Sequence, residues 1–168
     1  ASGRLQAYVS GRIEDAQGRF NLADLVFNNE IDAMALERFS RLCAVLNISS
    51  AQAQAIARLV LEKTPKSPAL TSEKPLLIAS TPQLRVITEL TATSEISADL
   101  LAALDPYVIV LTRNTNKPTP INVNTASAPV LAAIAPLMAQ GLAQAIVAQR
   151  EQTRYFKDRN DFKNTFPV

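Results

Sequence analysis

The sequence contains no histidine, no tryptophan and a single cysteine. Without histidine there is no Ser-His-Asp triad, no Cys-His dyad and no imidazole ligand for a metal, and one thiol cannot close a disulfide within the chain. Long apolar runs are missing too. The most apolar stretches, such as residues 126–138, are broken by proline or polar residues and cannot cross roughly 30 Å of hydrocarbon. No signal peptide is visible at Ala1, so the chain reads either as cytosolic or as lacking its targeting segment. Charge of one sign is in short supply as well: 17 basic residues against 15 acidic ones leave a net +2, too mild to imply nucleic acid or an anionic membrane.

What is present is enough for a core. A chain of 168 residues can form one ordinary domain or two small ones, burying roughly two-thirds of its unfolded surface. Hydrophobic residues at 48% and charged ones at 19% exclude intrinsic disorder, and ten prolines without a period exclude a fibrous repeat. Charge is unevenly spread: residues 1–112 carry ten basic and twelve acidic side chains, residues 113–168 seven and three. The basic bias is C-terminal.

Residues 5–26 alternate and turn. Asp15 can bond its own backbone to open a turn and Gly18 can take the positive φ that closes it, which predicts a β-hairpin running on through Phe20 and Leu22. Helical signals follow. Phe39, Leu42, Cys43 and Leu46 recur at helical spacing within residues 31–46, and Ser49 or Ser50 caps a second helix with Ile56, Leu59 and Val60 on one face. Residues 64–82 hold four prolines and read as an exposed connection. Thr81-Pro82 then starts a helix over residues 84–90, and Ser94 or Ser97 caps another that stops at Asp105-Pro106. Residues 108–111 are β-branched enough for a strand, and residues 114–120 form a second polar linker. Beyond it Ser127 or Thr125 caps a helix over 128–135 ended by Pro136, and residues 140–151 make the last long helix. The aromatics Tyr155, Phe156, Phe162 and Phe166 close its apolar face as a lid.

The most specific string is Ile121-Asn122-Val123-Asn124-Thr125-Ala126. Its Ile and Val point inward, its asparagines bond nearby backbone, and Thr125 stands ready to cap the next helix. With Ala145-Ile146-Val147-Ala148-Gln149-Arg150-Glu151 and the aromatic tail, it resembles helix-hairpin-helix proteins of the competence DNA-receptor type. In that family a Gly-hydrophobic-Gly hairpin brings bare backbone amides to phosphate. Here residues 134–140 contain no glycine before Gly141, so that approach is lost.

A second resemblance covers more of the chain. Gly11-Arg12-Ile13-Glu14-Asp15-Ala16-Gln17-Gly18-Arg19-Phe20-Asn21-Leu22, followed about a hundred residues later by the 121–126 string and Ser127-Ala128-Pro129-Val130-Leu131, resembles the minor pseudopilin K family of bacterial type II secretion systems. The resemblance implies a mainly α fold with a small β part (α+β). Residues 1–26 would be the β-hairpin of a pilin-like core, 27–112 a first helical bundle, and 113–168 a second, helix-hairpin-helix-like one. It implies a structural role at the tip of a periplasmic pseudopilus, assembled with the I and J minor pseudopilins and supporting export across the outer membrane. An inner-membrane anchor helix before Ala1 and further sheet strands after Val168 are also implied. Asp15, Gly18, Phe20, Asn21, Ile121, Asn122, Asn124 and Thr125 are the residues expected to carry the structural motif.

Chemistry is scarce beside this. Calcium is an expectation by family analogy alone, since only Glu14, Asp15 and Asp24 lie close in sequence. Cys43 sits on an apolar helical stripe and reads as a buried inert thiol. Arg150, Arg154, Lys157, Arg159 and Lys163 read equally well as a solvated face or as a basic binding patch, and Asp158 with Asp161 has no acid/base geometry. A structural assembly subunit leads, with no nucleic-acid partner expected. A DNA-binding helix-hairpin-helix module is the alternative, and a carboxylate hydrolase a distant third; no catalytic residue is assigned.

Overall fold

The computed structural model describes residues 15–65, 84–90, 95–112, 117–135, 138–153 and 155–166. The first strand of the predicted hairpin (residues 5–14), the Thr81-Pro82 helix start, Ser94, Pro136 and Arg154 lie outside them. Within them the fold is mainly α with a small β part, as expected. Helices α1 (Ala33–Val45), α2 (Ser50–Lys63), α3 (Ala98–Leu104), α4 (Ala128–Ile134), α5 (Gln140–Thr153) and α6 (Arg159–Thr165) accompany four two-residue strands: β1 (Phe20–Asn21), β2 (Val26–Phe27), β3 (Glu30–Ile31) and β4 (Val108–Ile109).

The N-terminal turn departs from its prediction in two ways. Asp15 does open a turn, its carboxylate accepting the Gln17 amide at 2.9 Å, but the turn is a 3-10 helix, Ala16–Gly18. No glycine among the described residues has positive φ. Gly18 is required by crowding instead, because a Cβ there would lie 2.9 Å from the carbonyl oxygen of Thr125 and 3.0 Å from its carbonyl carbon. The strand that follows, β1, pairs in parallel with β4, with Phe20 opposite Val108 and Asn21 opposite Ile109. Among the described residues an antiparallel hairpin lies further on, where β2 pairs with β3. Asn28 (φ 51°) and Asn29 (φ 66°) supply the two left-handed residues of its tight turn, which asparagine tolerates because its short amide bonds locally.

Helix boundaries follow their caps. Asp32 accepts the Ala35 amide at 2.9 Å to start α1, and Asn47 at φ 59° stops the chain from continuing it. Ser49 and Gln52 form a reciprocal capping box on α2, at 3.2 and 3.0 Å. Ser97 accepts the Leu100 amide at 3.1 Å on α3. The helix predicted over residues 84–90 shrinks to one 3-10 turn, Ile87–Glu89. Buried Leu84, Ile87 and Leu90 recur every third residue, the spacing that stacks on a 3-10 turn, and so short a segment cannot offset helix nucleation by itself.

Phe39, Leu42, Ile56, Leu104, Leu131 and Ile146 are all fully buried in one hydrophobic core. Helix α4 is its middle layer, packing on α1 on one side and α5 on the other. Arg41 of α1 fixes that packing: its Nε donates to the Ala133 carbonyl at the end of α4 at 2.9 Å, while its Nη1 meets Glu37 at 2.6 Å. A cation over orphan C-terminal carbonyls also suits the helix dipole.

The C-terminal aromatics form a lid with two corrections. Phe156 sits 5.3 Å from Phe162 and 6.1 Å from Phe166, edge to face in both cases. Phe162 and Phe166 are carried by α6 and its C-cap, a helix absent from the sequence-based expectation and started by Asp158, which accepts the Asn160 and Asp161 amides at 2.7 and 2.9 Å. Tyr155 is no part of the lid, being 58% exposed.

Candidate functional site: a loop gripped from three sides

The loop over residues 121–126 meets the N-terminal turn directly. Asn122 donates its backbone N–H to the Gln17 carbonyl at 2.9 Å, and its Nδ2 donates to Asp15 Oδ2 at 2.7 Å. The Thr125 hydroxyl donates to the same carboxylate oxygen at 2.8 Å. Three donors on one carboxylate favour its charged form. Asp15 is accordingly held below the ordinary carboxylate range, first by the Gln17 amide, then by Thr125 and Asn122, against a small opposing effect of desolvation. Gly18 lets the two backbones close over this contact. Asp15, Gly18, Asn122 and Thr125, more than a hundred residues apart in sequence, thus meet in one place.

Thr125 is therefore no helix cap. The position before α4 belongs to Ser127, whose hydroxyl makes no capping bond and is buried without a partner. Pro129 in the first turn has no N–H to satisfy, which lightens the need for a cap.

The loop is braced internally and from behind. Asn122 Oδ1 accepts the Asn124 amide at 3.0 Å, and the Asn122 carbonyl accepts the Thr125 and Ala126 amides at 3.1 and 2.9 Å. Arg150 of α5 donates from Nη1 to the Val123 and Ala126 carbonyls at 2.9 and 2.5 Å. Partial burial lowers the proton affinity of this guanidinium, with nearby Glu151 opposing. On the third side the Asn124 carboxamide matches one residue's backbone, accepting the Phe156 N–H at 2.6 Å and donating to its carbonyl at 2.9 Å. Ile121 and Val123 are half-buried against the core.

A second polar knot lies beside the first. Asn21 is buried, and its carboxamide accepts the Leu111 and Ala23 amides at 2.9 and 3.1 Å while donating to the Leu111 carbonyl at 3.1 Å and Thr119 Oγ1 at 2.8 Å. Asp24, also buried, accepts the Thr119 amide at 2.8 Å and its hydroxyl at 3.2 Å. Neighbouring Phe20 turns into the core, its ring 5.5 Å from that of Phe39. The sequence alone predicts no role here for Arg150, Thr119 or Phe156, and Asp24 reads from it only as a calcium candidate. Nothing in local spacing marks them, because each acts across a long stretch of chain.

What these groups do is hold backbone. The oxygens of Asp15 and Asp24 accept protein donors, and among the described residues no three acidic, cysteine or histidine side chains gather as a metal site. Burial pushes the Cys43 thiol up to about 12, which keeps it un-ionised. Gly141 lies within α5 with open space around it rather than at the α4–α5 connection. Arg150 leaves the candidate basic patch for the loop, while Lys157, Arg159 and Lys163 are exposed.

Comparison with known proteins adds three findings. Family models described as type II secretion system (T2SS) protein K match residues 18–113 and 121–168. Type II secretion system protein K of Pseudomonas aeruginosa is 30% identical over 162 residues, covering 90% of this chain but 46% of that protein, so the chain spans about half the length of this relative. A chain of the crystal structure of the GspK-GspI-GspJ complex from the enterotoxigenic Escherichia coli type 2 secretion system superposes with a TM-score of 0.50 at 21% identity, covering 90% of this chain and 61% of that one. At that identity the likeness is one of fold.

Proposed function

The chain belongs to the type II secretion system protein K family, and from that premise we propose that it works as a structural minor pseudopilin. Its task is assembly at the tip of the pseudopilus in support of export across the outer membrane. The observation that carries this reading is the interlock of Asp15 and Gly18 with Asn122 and Thr125, in which the polar groups of the two most distinctive sequence strings are spent on holding each other. A site built to turn over a substrate would leave such groups facing a cleft.

The partners we propose are the I and J minor pseudopilins, on the strength of the complex that contains the structural relative. Of the eight motif residues predicted from sequence, Asp15, Gly18, Phe20, Asn21, Asn122 and Thr125 form the seam between a pilin-like core that includes residues 1–26 and an α-domain, while Ile121 and Asn124 brace the 121–126 loop within that α-domain. That α-domain has two helical parts, 27–112 and 113–168, which share one core through the packing of α1 on α4. We place the protein in the periplasm, tethered to the inner membrane by a helix outside this sequence. No helix among the described residues is long and apolar enough to cross a membrane. The DNA-binding alternative is not retained, because the glycine hairpin that would carry it is lacking in residues 134–140.

Co-expression with the I and J pseudopilins tests the reading. A stable ternary complex that survives size-exclusion chromatography is the expected outcome. Failure to co-purify, together with duplex binding that weakens steeply between roughly 50 and 200 mM salt, would overturn it.

A further inference from the structure

Two asparagine side chains stand in series across the 121–126 loop. Asn122 uses both ends of its carboxamide, Nδ2 on Asp15 and Oδ1 on the Asn124 amide. Asn124 uses both ends of its own on the N–H and carbonyl of Phe156. An unbroken path of hydrogen bonds therefore runs from a solvent-exposed carboxylate on the N-terminal turn to the residue that anchors the C-terminal aromatic cluster. Arg150 ties the Val123 and Ala126 carbonyls together, and the Asn122 carbonyl gathers two loop amides. Braced in this way, the loop moves as one body rather than absorbing a displacement at one end.

We infer that the loop is a mechanical relay: the contact of Asp15 with Asn122 and Thr125 sets how firmly Phe156 and α6 are seated, although the two ends do not touch. The physical reason is orientation. With Asp15 in place, the Asn122 amide has one allowed sense, NH2 toward the carboxylate and oxygen toward the Asn124 N–H. Remove the carboxylate and that preference weakens, the Asn124 backbone gains freedom, and its side chain no longer meets both groups of Phe156 at once. Because coupling in binding free energy is reciprocal, loosening the aromatic end also loosens the turn. The input is exposed, so whatever engages the N-terminal turn can alter the seating of the C-terminal helix.

Amide exchange on the 168-residue chain tests this. Asp15→Ala is expected to speed exchange of the Phe156 amide by about fivefold or more, while the buried amides of α2 stay within about twofold of native. In the reverse direction, Phe166→Leu should speed exchange of the Asn122 amide, which donates to Gln17. An unchanged Phe156 amide, or a uniform acceleration that includes α2, would overturn the relay. Should Asp15→Ala fail to fold, Thr125→Val removes one hydroxyl donor and leaves in place the two nearest atoms at Gly18, which are Thr125 backbone. The same comparison of Phe156 against α2 then decides.

Discussion

Replacing Gly18 by alanine puts a single methyl group where the backbone of another segment already lies. The new carbon would sit 2.9 Å from the Thr125 carbonyl oxygen and 3.0 Å from its carbonyl carbon, with the hydroxyl oxygen at 3.1 Å. The two nearest atoms are backbone and cannot rotate away, so either the 3-10 turn or the loop must move. Overpacking of this kind costs about 1–3 kcal/mol. Against it stands the usual gain of about 0.4–1 kcal/mol when alanine replaces a glycine whose φ it can adopt, by restricting the unfolded chain. That gain applies because Gly18 has no positive φ. The net expectation is a loss between about 0 and 2.6 kcal/mol, centred near about 1.3 kcal/mol, or a melting temperature lower by roughly 3–5 °C at that centre for a domain of this size. Thermal and urea unfolding measure it, and an unchanged m-value would show that the folded state carries the loss. Adding Thr125→Ala should rescue little, since the carbonyl stays where it was. A Gly18→Ala protein more stable than the native one, as the unfolded-chain effect alone would make it, would refute the crowding argument, and full rescue by Thr125→Ala would place the clash at the hydroxyl instead.

Four further outcomes follow from the same contacts. Asp15 has a folded-state pKa below its unfolded value, so its contribution is complete above an unfolded value of about 3.9 and is lost as pH falls through the lower, folded one; acid titration of the melting temperature should be flatter in Asp15→Asn than in the native chain. Arg150→Met removes two charge-assisted bonds to the Val123 and Ala126 carbonyls and should cost about 1.5–3 kcal/mol in denaturant unfolding, with Arg150→Lys recovering only part because one ammonium lacks the guanidinium's planar reach. Cys43 is fully buried with its thiol pushed up to about 12; it should resist a thiol reagent at pH 8 (about half a unit below the ordinary thiol value) and label at the rate of unfolding. Ile121→Asp sets a carboxylate against the core and should loosen the C-terminal helices, lowering the urea midpoint by more than Ile121→Val does.

Local chemistry was legible and distant pairing was not. Ser49, Ser97 and the apolar faces of α1 and α2 were readable because a cap and its helix lie within four residues of each other. The two distinctive strings were readable as well, down to the residues that touch. Their contact was not, since Asp15 reaches Asn122 and Thr125 across more than a hundred residues. Gly18 was singled out for the wrong cause: a glycine after Asp-Ala-Gln signals a left-handed turn when read alone, and only the fold brings Thr125 against it. The real left-handed turn, at Asn28 and Asn29, lacks glycine and was passed over. Arg150 read as a surface cation because its acceptors are main-chain carbonyls, which leave no trace in a sequence.

The parallel pairing of β1 with β4 poses a harder question, since strands of two residues are too short for a hydrophobic alternation to fix their register. The Asn21 side chain answers it. By accepting the Leu111 N–H and donating to the Leu111 carbonyl, the carboxamide imitates a further strand residue and extends the ladder past Ile109. Its remaining bonds, from the Ala23 amide and to Thr119 Oγ1, fasten the next turn and the returning chain, and Asp24 holds Thr119 by both its amide and its hydroxyl. A slip of one residue along β4 would move Leu111 out of reach and strand a buried amide, at about 1–3 kcal/mol for each group left unsatisfied. An apolar residue at position 21 would gain burial energy yet tolerate neighbouring registers almost equally. The polar knot therefore contributes choice more than strength: it selects the one alignment in which the N-terminal turn arrives beside the 121–126 loop, and that arrival is what lets Asp15 find its two partners.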